Sequence, residues 1–158
     1  MPAQRADAAH GRRSRRGTPT GVGRSVLLDT GFLVALVNAT DPDHASCAAV
    51  WKGLRARVVT VEGVLVETSH MLRRARGGFE AAVGLVTAVD ATIVLLDASR
   101  LERCAALMGR YRNVPMNLVD ALLVATAEDG AIGEILTLDK RGFRAYRFSR
   151  SRAFTILP

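Results

Sequence analysis

From Ser25 onward the chain alternates short apolar runs with longer blocks of helical periodicity. β-branched and aliphatic residues dominate these runs, as is typical of buried strands. The predicted strands are Ser25–Leu28 and residues 57–60, 92–96, 135–138 and 153–157. Helices between successive strands imply right-handed crossovers and parallel pairing. The pattern therefore predicts an α/β fold, a three-layer α/β/α sandwich with a small, mostly parallel sheet.

The blocks between the strands have the spacing and end signals of helices. The predicted helices cover residues 32–38, a segment opened by Asp41-Pro42-Asp43, and residues 61–72, 79–89, 99–111 and 118–129. Residues 118–129 are apolar almost all the way round, which predicts a deeply buried helix. The second helix is expected to bury Ala45, Ala48, Ala49 and Leu54. Residues 140–143 are predicted to form a turn.

Basic residues are concentrated at the two ends of the chain. The net charge is +7, of which residues 1–24 carry +5 without any apolar period. We interpret residues 1–24 as a disordered basic tail, either spare sequence or an RNA-contacting arm, and residues 25–158 as one domain. The segment from Lys140 to Arg152 contains six basic residues and no acid. Such a surface favours a polyanion such as nucleic acid, although many charge runs are simply solvated.

The two cysteines, Cys47 and Cys104, are isolated and lie in predicted helices. We expect them to be reduced core thiols, which indicates a cytoplasmic protein. No apolar segment of the kind found in secretory signals follows the N-terminal arginines. No run approaches the roughly 20 apolar residues of a membrane-spanning helix, so no membrane association is expected.

Four carboxylates each follow a short apolar run: Asp29, Glu67, Asp120 and Asp139. Acids next to buried segments are costly unless something offsets their desolvation. Ligands of parallel sheets bind beyond the carboxyl ends of the strands, and these acids lie at strand ends or near helix starts. All four can therefore meet at one edge, where like charges about 4–6 Å apart cannot all stay ionised without help.

Each acid also has a simpler interpretation when it is taken alone. Asp29 could cap a helix, Asp120 could interact with a helix dipole, and Asp139 could form an Asx turn. Glu67 falls about 100° from the centre of its apolar stripe, at the border between core and solvent. The hypothesis of a shared site thus depends on the convergence of the four acids.

Polar neighbours of the acids are further candidates. Thr30 and Thr137 could orient a ligand or a water beside Asp29 and Asp139, or they could be ordinary strand-end threonines. Lys140 and Arg141 follow Asp139 directly and could contact a phosphate backbone.

Oxygen ligands without paired His or Cys suit a hard cation, Mg²⁺ or Mn²⁺. Such a cation activates a bound water and neutralises a leaving oxygen, as phosphodiester hydrolysis requires. The pattern therefore predicts a metal site whose four acids are both metal ligands and catalytic residues: Asp29, Glu67, Asp120 and Asp139.

The runs Leu27-Leu28-Asp29-Thr30-Gly31, the helical Glu67, Asn117-Leu118-Val119-Asp120-Ala121-Leu122-Leu123 and Leu136-Thr137-Leu138-Asp139-Lys140-Arg141-Gly142-Phe143 together resemble a PIN-domain nuclease. Within that superfamily the chain is similar to the VapC-type ribonuclease toxins of type II toxin–antitoxin systems. The resemblance covers residues 25–157 and rests on order, spacing and context. It implies a PIN-like fold that acts as an endoribonuclease on RNA.

The resemblance also assigns roles by position. The first acidic motif of the family falls on Asp29, its helical glutamate on Glu67, its third acid on Asp120 and its strand-end acid on Asp139. In the family these acids surround Mg²⁺ or Mn²⁺, and the first and third are the principal ligands. The resemblance further implies a homodimer and inhibition by a protein antitoxin. The basic extension of 24 residues is a departure, since such toxins usually lack one.

Two other functions fit parts of the pattern. One is a non-catalytic PIN-like module that binds RNA, although a repulsive cluster of acids has little use in it. The other is a metal-dependent phosphatase with an aspartate nucleophile. The run Asp29-Thr30-Gly31 lacks the second acid that such enzymes place two residues later.

Overall fold

The computed structural model describes residues 23–149 and 151–158. Most of the predicted tail, residues 1–24, therefore lies outside the described residues, and its boundary with the domain stays a prediction. Of the predicted tail only Gly23 and Arg24 are described. Arg24 is joined to the domain, because its Nε donates a hydrogen bond to Glu134 Oε2 at 2.7 Å.

A five-stranded parallel sheet forms the centre of the protein, as predicted. Its strands stand in the spatial order β3-β2-β1-β4-β7. A separate two-stranded antiparallel hairpin consists of β5 and β6. The strands are β1 (Ser25–Leu28), β2 (Arg57–Val61), β3 (Thr92–Val94), β4 (Glu134–Leu136), β5 (Arg147–Phe148), β6 (Arg152–Ala153) and β7 (Thr155–Leu157).

Helices fill the connections between the strands, as the alternating pattern predicts. They are α1 (Thr30–Val37), α2 (His44–Gly53), α3 (Glu62–Met71), α4 (Gly78–Ala88), α5 (Ala98–Arg110), α6 (Leu118–Gly130) and α7 (Lys140–Ala145). The chain passes from β1 to β2 to β3 in one direction and then returns to β4 on the other side of β1. Right-handed crossovers in opposite directions place α1–α4 on one face of the sheet and α5–α6 on the other.

The core confirms the burial expected from the sequence. Val26, Leu27 and Leu28 of β1 are fully buried, as expected for a central strand covered on both faces. In α6 every residue from 120 to 127 is buried, which confirms the prediction for this helix. Both cysteines are buried and free, in agreement with reduced core thiols. Within residues 23–149 and 151–158, no helix has the length and apolar character needed to cross a membrane.

Three local predictions were wrong. Residues 140–143 do not form a simple turn but begin α7, because the Asp139 side chain accepts a hydrogen bond from the Gly142 N–H at 2.9 Å. The last predicted strand, residues 153–157, is divided at Phe154, whose ring turns into the core against Phe143 and Phe148.

The third error concerns the inner face of α2. Ala45 and Ala49 are exposed, whereas Cys47 is fully buried. The larger side chains Val50 and Trp51 pack against the core beside Cys47, so the helix is rotated away from the predicted alanine face. Ala48 and Leu54 also contact the core, as predicted.

The close approach of α3 and α6 depends on a glycine. A Cβ at Gly63, in the first turn of α3, would lie 2.8 Å from Val119 Cγ2 of α6. Real Cβ atoms do not approach a methyl group so closely, so the two helices can pack at this spacing only with glycine at position 63. Since α3 carries Glu67 and α6 carries Asp120, Gly63 brings two of the four acids towards each other.

Substitution of Gly63 by Ala is therefore expected to lower the free energy of unfolding by about 1–2 kcal/mol, because overpacking outweighs the gain in helix propensity. Gly84 is the matched control, since it is exposed in α4 and has nothing within 4 Å of an added Cβ. Gly84→Ala should stabilise the protein by about 0.5–1 kcal/mol. Urea denaturation measures both values. A Gly63→Ala variant as stable as Gly84→Ala would show that the helices have room to spare.

Candidate functional site

The carboxyl ends of β1 and β4 lie side by side at the point where the direction of strand succession reverses. Leu28 of β1 is paired with Leu136 of β4, and the Asp29 N–H donates to the Leu136 carbonyl at 3.0 Å. In open α/β sheets such a switch point is the usual place for a ligand crevice. Asp29 and the residues that follow β4 therefore lie in the position where a site is expected.

Thr137 connects two of the acids. Its Oγ1 donates a hydrogen bond of 2.6 Å to Asp29 Oδ2 and accepts one of 2.9 Å from the Asp139 N–H. Thr137 is fully buried, so the bond to Asp29 is shielded from water, while the bond with Asp139 is partly buried. The residue predicted to lie near Asp29 and Asp139 thus holds the first and last acids in one hydrogen-bonded chain.

Thr30 connects a third acid to the same edge. Its Oγ1 donates to Glu67 Oε2 at 2.7 Å, while its backbone N–H donates to Asp29 Oδ1 at 2.7 Å. Glu67 is half-buried on α3, at the predicted border between core and solvent. Thr30 therefore ties α3 to the end of β1, and both threonines lie between acids.

Asp120 enters the site from α6. It forms a capping box with Asn117: the Asp120 N–H donates to Asn117 Oδ1 at 2.8 Å, and the Asn117 N–H donates to Asp120 Oδ2 at 3.0 Å. This satisfies backbone donors that the first turn of a helix leaves free. Asp120 therefore caps the start of α6, as the sequence allowed, and it also lies near the other acids.

The four acids are unequally exposed. Asp29 and Asp120 retain only 7% and 9% of their exposure, Glu67 is half-buried, and Asp139 is exposed. Lys140 and Arg141 are exposed beside Asp139, and among the described residues neither forms an ion pair with an acid. These four acids at the carboxyl edge of the sheet are called the acidic pocket; two of them are buried, and basic side chains are exposed beside Asp139.

The pKa values of the two buried acids report their shared environment. The pKa of Asp29 is raised mainly by burial, against the hydrogen bonds from Thr137 and Thr30, and the charges of Glu67 and Asp139 add to the rise. The pKa of Asp120 is raised to about 6, again mainly by burial. The hydrogen bond from Asn117 lowers it, and the charges of Asp29, Asp139 and Glu67 raise it. The four carboxylates therefore act on one another electrostatically, as their predicted convergence requires.

The pocket is not a closed cage of ligands. Within the described part of the chain, no three His, Cys, Asp or Glu side chains lie close enough together to hold one metal ion between them. Thr137 links Asp29 with Asp139 and Thr30 links Asp29 with Glu67, whereas Asp120 is held by its own cap, Asn117.

Two features of the site were not predicted from the sequence. Gly63 sets the spacing of α3 and α6, and Tyr146, which directly follows α7, is buried with its hydroxyl near Asp120 and Asp139. An aromatic residue within an otherwise basic C-terminal segment was the available signal for Tyr146. No sequence pattern distinguishes Gly63 from an ordinary helical glycine.

Comparison with known proteins places this geometry in a family. The model of the PIN domain matches residues 26–149. A curated relative, ribonuclease VapC26 of Mycobacterium tuberculosis, is 26% identical over 136 residues, which cover 84% of this chain and 100% of the relative. The family model thus covers the whole predicted sheet apart from its last strand.

Solved structures have the same fold. Mycobacterium tuberculosis VapC20, described as a Sarcin-Ricin loop cleaving toxin, has a TM-score of 0.67 at 25% identity, over 73% of this chain and 91% of that one. A toxin–antitoxin complex from Klebsiella pneumoniae has a TM-score of 0.60 at 19% identity, and the match covers 76% of this chain and 91% of that one. VapBC2 from Rickettsia felis, bound to a DNA fragment from their promoter, has a TM-score of 0.60 at 11% identity, and the match covers 85% of this chain and 99% of that one. Sequence and fold agree: the chain is similar to VapC-type toxins, and it belongs to the PIN domain family.

Proposed function

We propose that this protein is a Mg²⁺- or Mn²⁺-dependent endoribonuclease that hydrolyses RNA phosphodiester bonds and acts as the toxin of a toxin–antitoxin pair. One observation carries the proposal. Four carboxylates from separate elements lie at the switch point of the sheet, where Thr30 and Thr137 link three of them. Burial, and then the charges of the neighbouring acids, raise the pKa values of Asp29 and Asp120. A structural role alone gives no reason to gather four like charges there.

The donor set fits a hard divalent cation. All candidate ligands are carboxylate oxygens, which Mg²⁺ and Mn²⁺ prefer. Mg²⁺ keeps several waters and takes one or two protein carboxylates together with substrate phosphate oxygens. Asp29 and Asp120, the buried pair, are the proposed principal ligands, and Glu67 and Asp139 complete the catalytic pocket.

When bound, the cation would supply an activated water and charge neutralisation at the leaving oxygen. The protein's own residues position the acids for this chemistry. Thr137 orients the Asp29 carboxylate, and Thr30 orients Glu67. The exposed Asp139 lies on the open side of the pocket, where its carboxylate can accept a hydrogen bond from a substrate or a water.

Lys140 and Arg141 are proposed to bind the phosphate backbone of the RNA at the rim. Both are exposed in the first turn of α7, directly after Asp139. Lys and Arg that neutralise phosphates release counterions, so this contribution weakens with salt. In this arrangement basic groups hold the polyanion while the acids below them act on one phosphodiester bond.

The proposal extends to partners and location. An antitoxin protein would cover the acidic pocket, and the toxin would form a homodimer in the cytoplasm. Support for an antitoxin comes from the similar structures from Klebsiella pneumoniae and Rickettsia felis, which are a toxin–antitoxin complex and VapBC2. The alternative function, a PIN-like module that binds RNA without cleaving it, is separated from this one by the cleavage experiment below.

RNA cleavage with Mg²⁺ or Mn²⁺ tests the acids. Asp120→Asn is expected to reduce the cleavage rate at least about 100-fold, because it removes one charged ligand worth several kcal/mol in the transition state. The asparagine oxygen can still accept the bond from the Asn117 N–H, so the capping box should persist. Gel analysis of a panel of RNAs, including a sarcin-ricin stem-loop, with and without chelator, measures the effect.

Asp97→Asn is the matched control. Asp97 follows β3 at the same carboxyl edge of the sheet, but its side chain only caps α5 and forms an ion pair with Arg100. Its substitution should leave cleavage unchanged. Wild-type activity in Asp120→Asn would refute the assignment of the acids, and wild-type protein that binds but never cuts RNA would favour the non-catalytic module.

The stability of the metal-free protein should depend on the protonation of Asp120. Its pKa is about 6 in the folded protein, against 3.8 for an unperturbed aspartate. Between these values the folded state keeps a proton that the unfolded state releases, so the free energy of unfolding falls as pH rises. Above pH 6 Asp120 is ionised in both states. The free energy of unfolding is then lower by the whole cost of burying its charge, about 1–2 kcal/mol after solvent screening.

Denaturation in chelator at a series of pH values between 4 and 7 measures this dependence. Asp120→Asn lacks the titrating group, so its stability relative to wild type should increase across this range and level off near pH 7. Parallel curves for wild type and Asp120→Asn would show that burial does not disfavour the Asp120 charge. Addition of Mn²⁺ at pH 7 should stabilise wild type more than the variant, since the ligand binds only the folded state.

A further inference from the structure

Tyr146 is a buried tyrosine whose only polar atom faces the acid-bearing elements. The side chain is fully buried, and its hydroxyl donates a hydrogen bond of 2.7 Å to the Pro115 carbonyl. A buried phenol normally finds a partner for its O–H, so the bond by itself needs no functional explanation. What distinguishes Tyr146 is the position of its hydroxyl, which lies close to Asp120 and Asp139.

On one side the hydroxyl reaches the start of α6. Pro115 lies two residues before Asn117, which forms the capping box with Asp120. The bond to Pro115 therefore anchors the segment from which the Asp120 helix begins. Because the cap and the acid hydrogen-bond to each other, movement of this segment would also move the Asp120 carboxylate.

On the other side the ring packs against the start of α7. A Cβ at Gly142 would lie 3.0 Å from the Tyr146 hydroxyl oxygen and would overlap the Asp139 carboxylate. The Gly142 N–H in turn donates to Asp139 Oδ1 at 2.9 Å. Tyr146, Gly142 and Asp139 thus form a packed unit with no space between them for a methyl group.

The charges around the phenol keep its proton in place. The pKa of Tyr146 is raised, first by burial and then by the negative charges of Asp120 and Asp139, with a hydrogen-bonding contribution from Asp120. The hydroxyl therefore remains a donor throughout the neutral range. It has one proton, which the short contact assigns to Pro115, and the Asp120 carboxylate lies beside it as an alternative acceptor.

The aromatic ring is held independently of the hydroxyl. Tyr111 and Phe143 both pack edge-to-face on Tyr146, with centroid distances of 5.2 and 5.3 Å. These contacts survive replacement of tyrosine by phenylalanine. The hydroxyl can therefore be removed without opening a cavity in the core.

We propose that Tyr146 is a positioning residue: its hydroxyl, through the bond to Pro115, holds the start of the Asp120 helix at the separation from the Asp139 helix that metal binding requires, while its ring packs against the Asp139 helix. This inference rests on the proposed metal-dependent nuclease function and deepens it. Tyr146 touches neither substrate nor metal in this role and acts only through the two acids. Groups that orient ligands in this way commonly change metal affinity or activity 10- to 100-fold when they are lost.

Tyr146→Phe, compared with Tyr111→Phe, tests the inference. Tyr111 provides a matched hydroxyl, which accepts a hydrogen bond from the Arg147 N–H at 2.9 Å and is not part of the acid pocket. Isothermal titration of each folded, metal-free variant with Mn²⁺ gives the Kd, and RNA cleavage gives kcat and KM. We expect Tyr146→Phe to weaken Mn²⁺ binding about tenfold and to lower kcat with little change in KM. Tyr111→Phe should leave all three values at the wild-type level.

The outcomes separate this inference from the proposed function. If wild type binds Mn²⁺ and cleaves RNA while Tyr146→Phe matches it in Kd and kcat, the positioning role is refuted and the proposed function stands. A lower melting temperature with unchanged Mn²⁺ affinity would likewise refute it, since the hydroxyl would then be only structural. If wild type neither binds Mn²⁺ nor cleaves RNA, the proposed function itself fails.

Discussion

The parallel pairing of β1 with β4 is the contact on which the site depends. Leu28 is paired with Leu136, so the residues that follow the two strands, Asp29 and Thr137, stand side by side. A shift of one residue would turn alternate side chains to the opposite face and separate these partners. The buried β1 residues resist such a shift, since it would disturb a close-packed core on both faces of the sheet.

Burial of acids at this junction has a cost that local hydrogen bonds only partly offset. Asp29 accepts bonds from Thr137 and from the Thr30 N–H, yet its pKa is still raised. Asp120 accepts a hydrogen bond from the Asn117 N–H, and its pKa is also raised. The folded protein thus concentrates unneutralised negative charge in one pocket, which a bound cation would stabilise. Acids with raised pKa values are typical of functional sites, which supports the proposed metal site.

Two contacts place α6, and with it Asp120. Gly63 lets α3 approach Val119 on one side, and the Tyr146 hydroxyl holds Pro115 on the other. Both contacts lie at the start of α6, and residues 120–127 of that helix are buried. The geometry of the acids is therefore set by packing at helix starts as much as by the sheet.

The sequence by itself determined the alternation of strands and helices and the buried character of α6, and it singled out the four candidate acids, because periodicity and strand-end chemistry are local signals. It missed α7, a six-residue helix that depends on the Asp139 cap, and it misplaced the inner face of α2, since larger neighbours decide which side packs. Only the tertiary structure decided that Thr30 and Thr137 each bond an acid, that Gly63 sets a helix spacing and that Tyr146 stands between Asp120 and Asp139. These contacts join residues far apart in the chain, and their geometry follows from packing, which no local pattern contains.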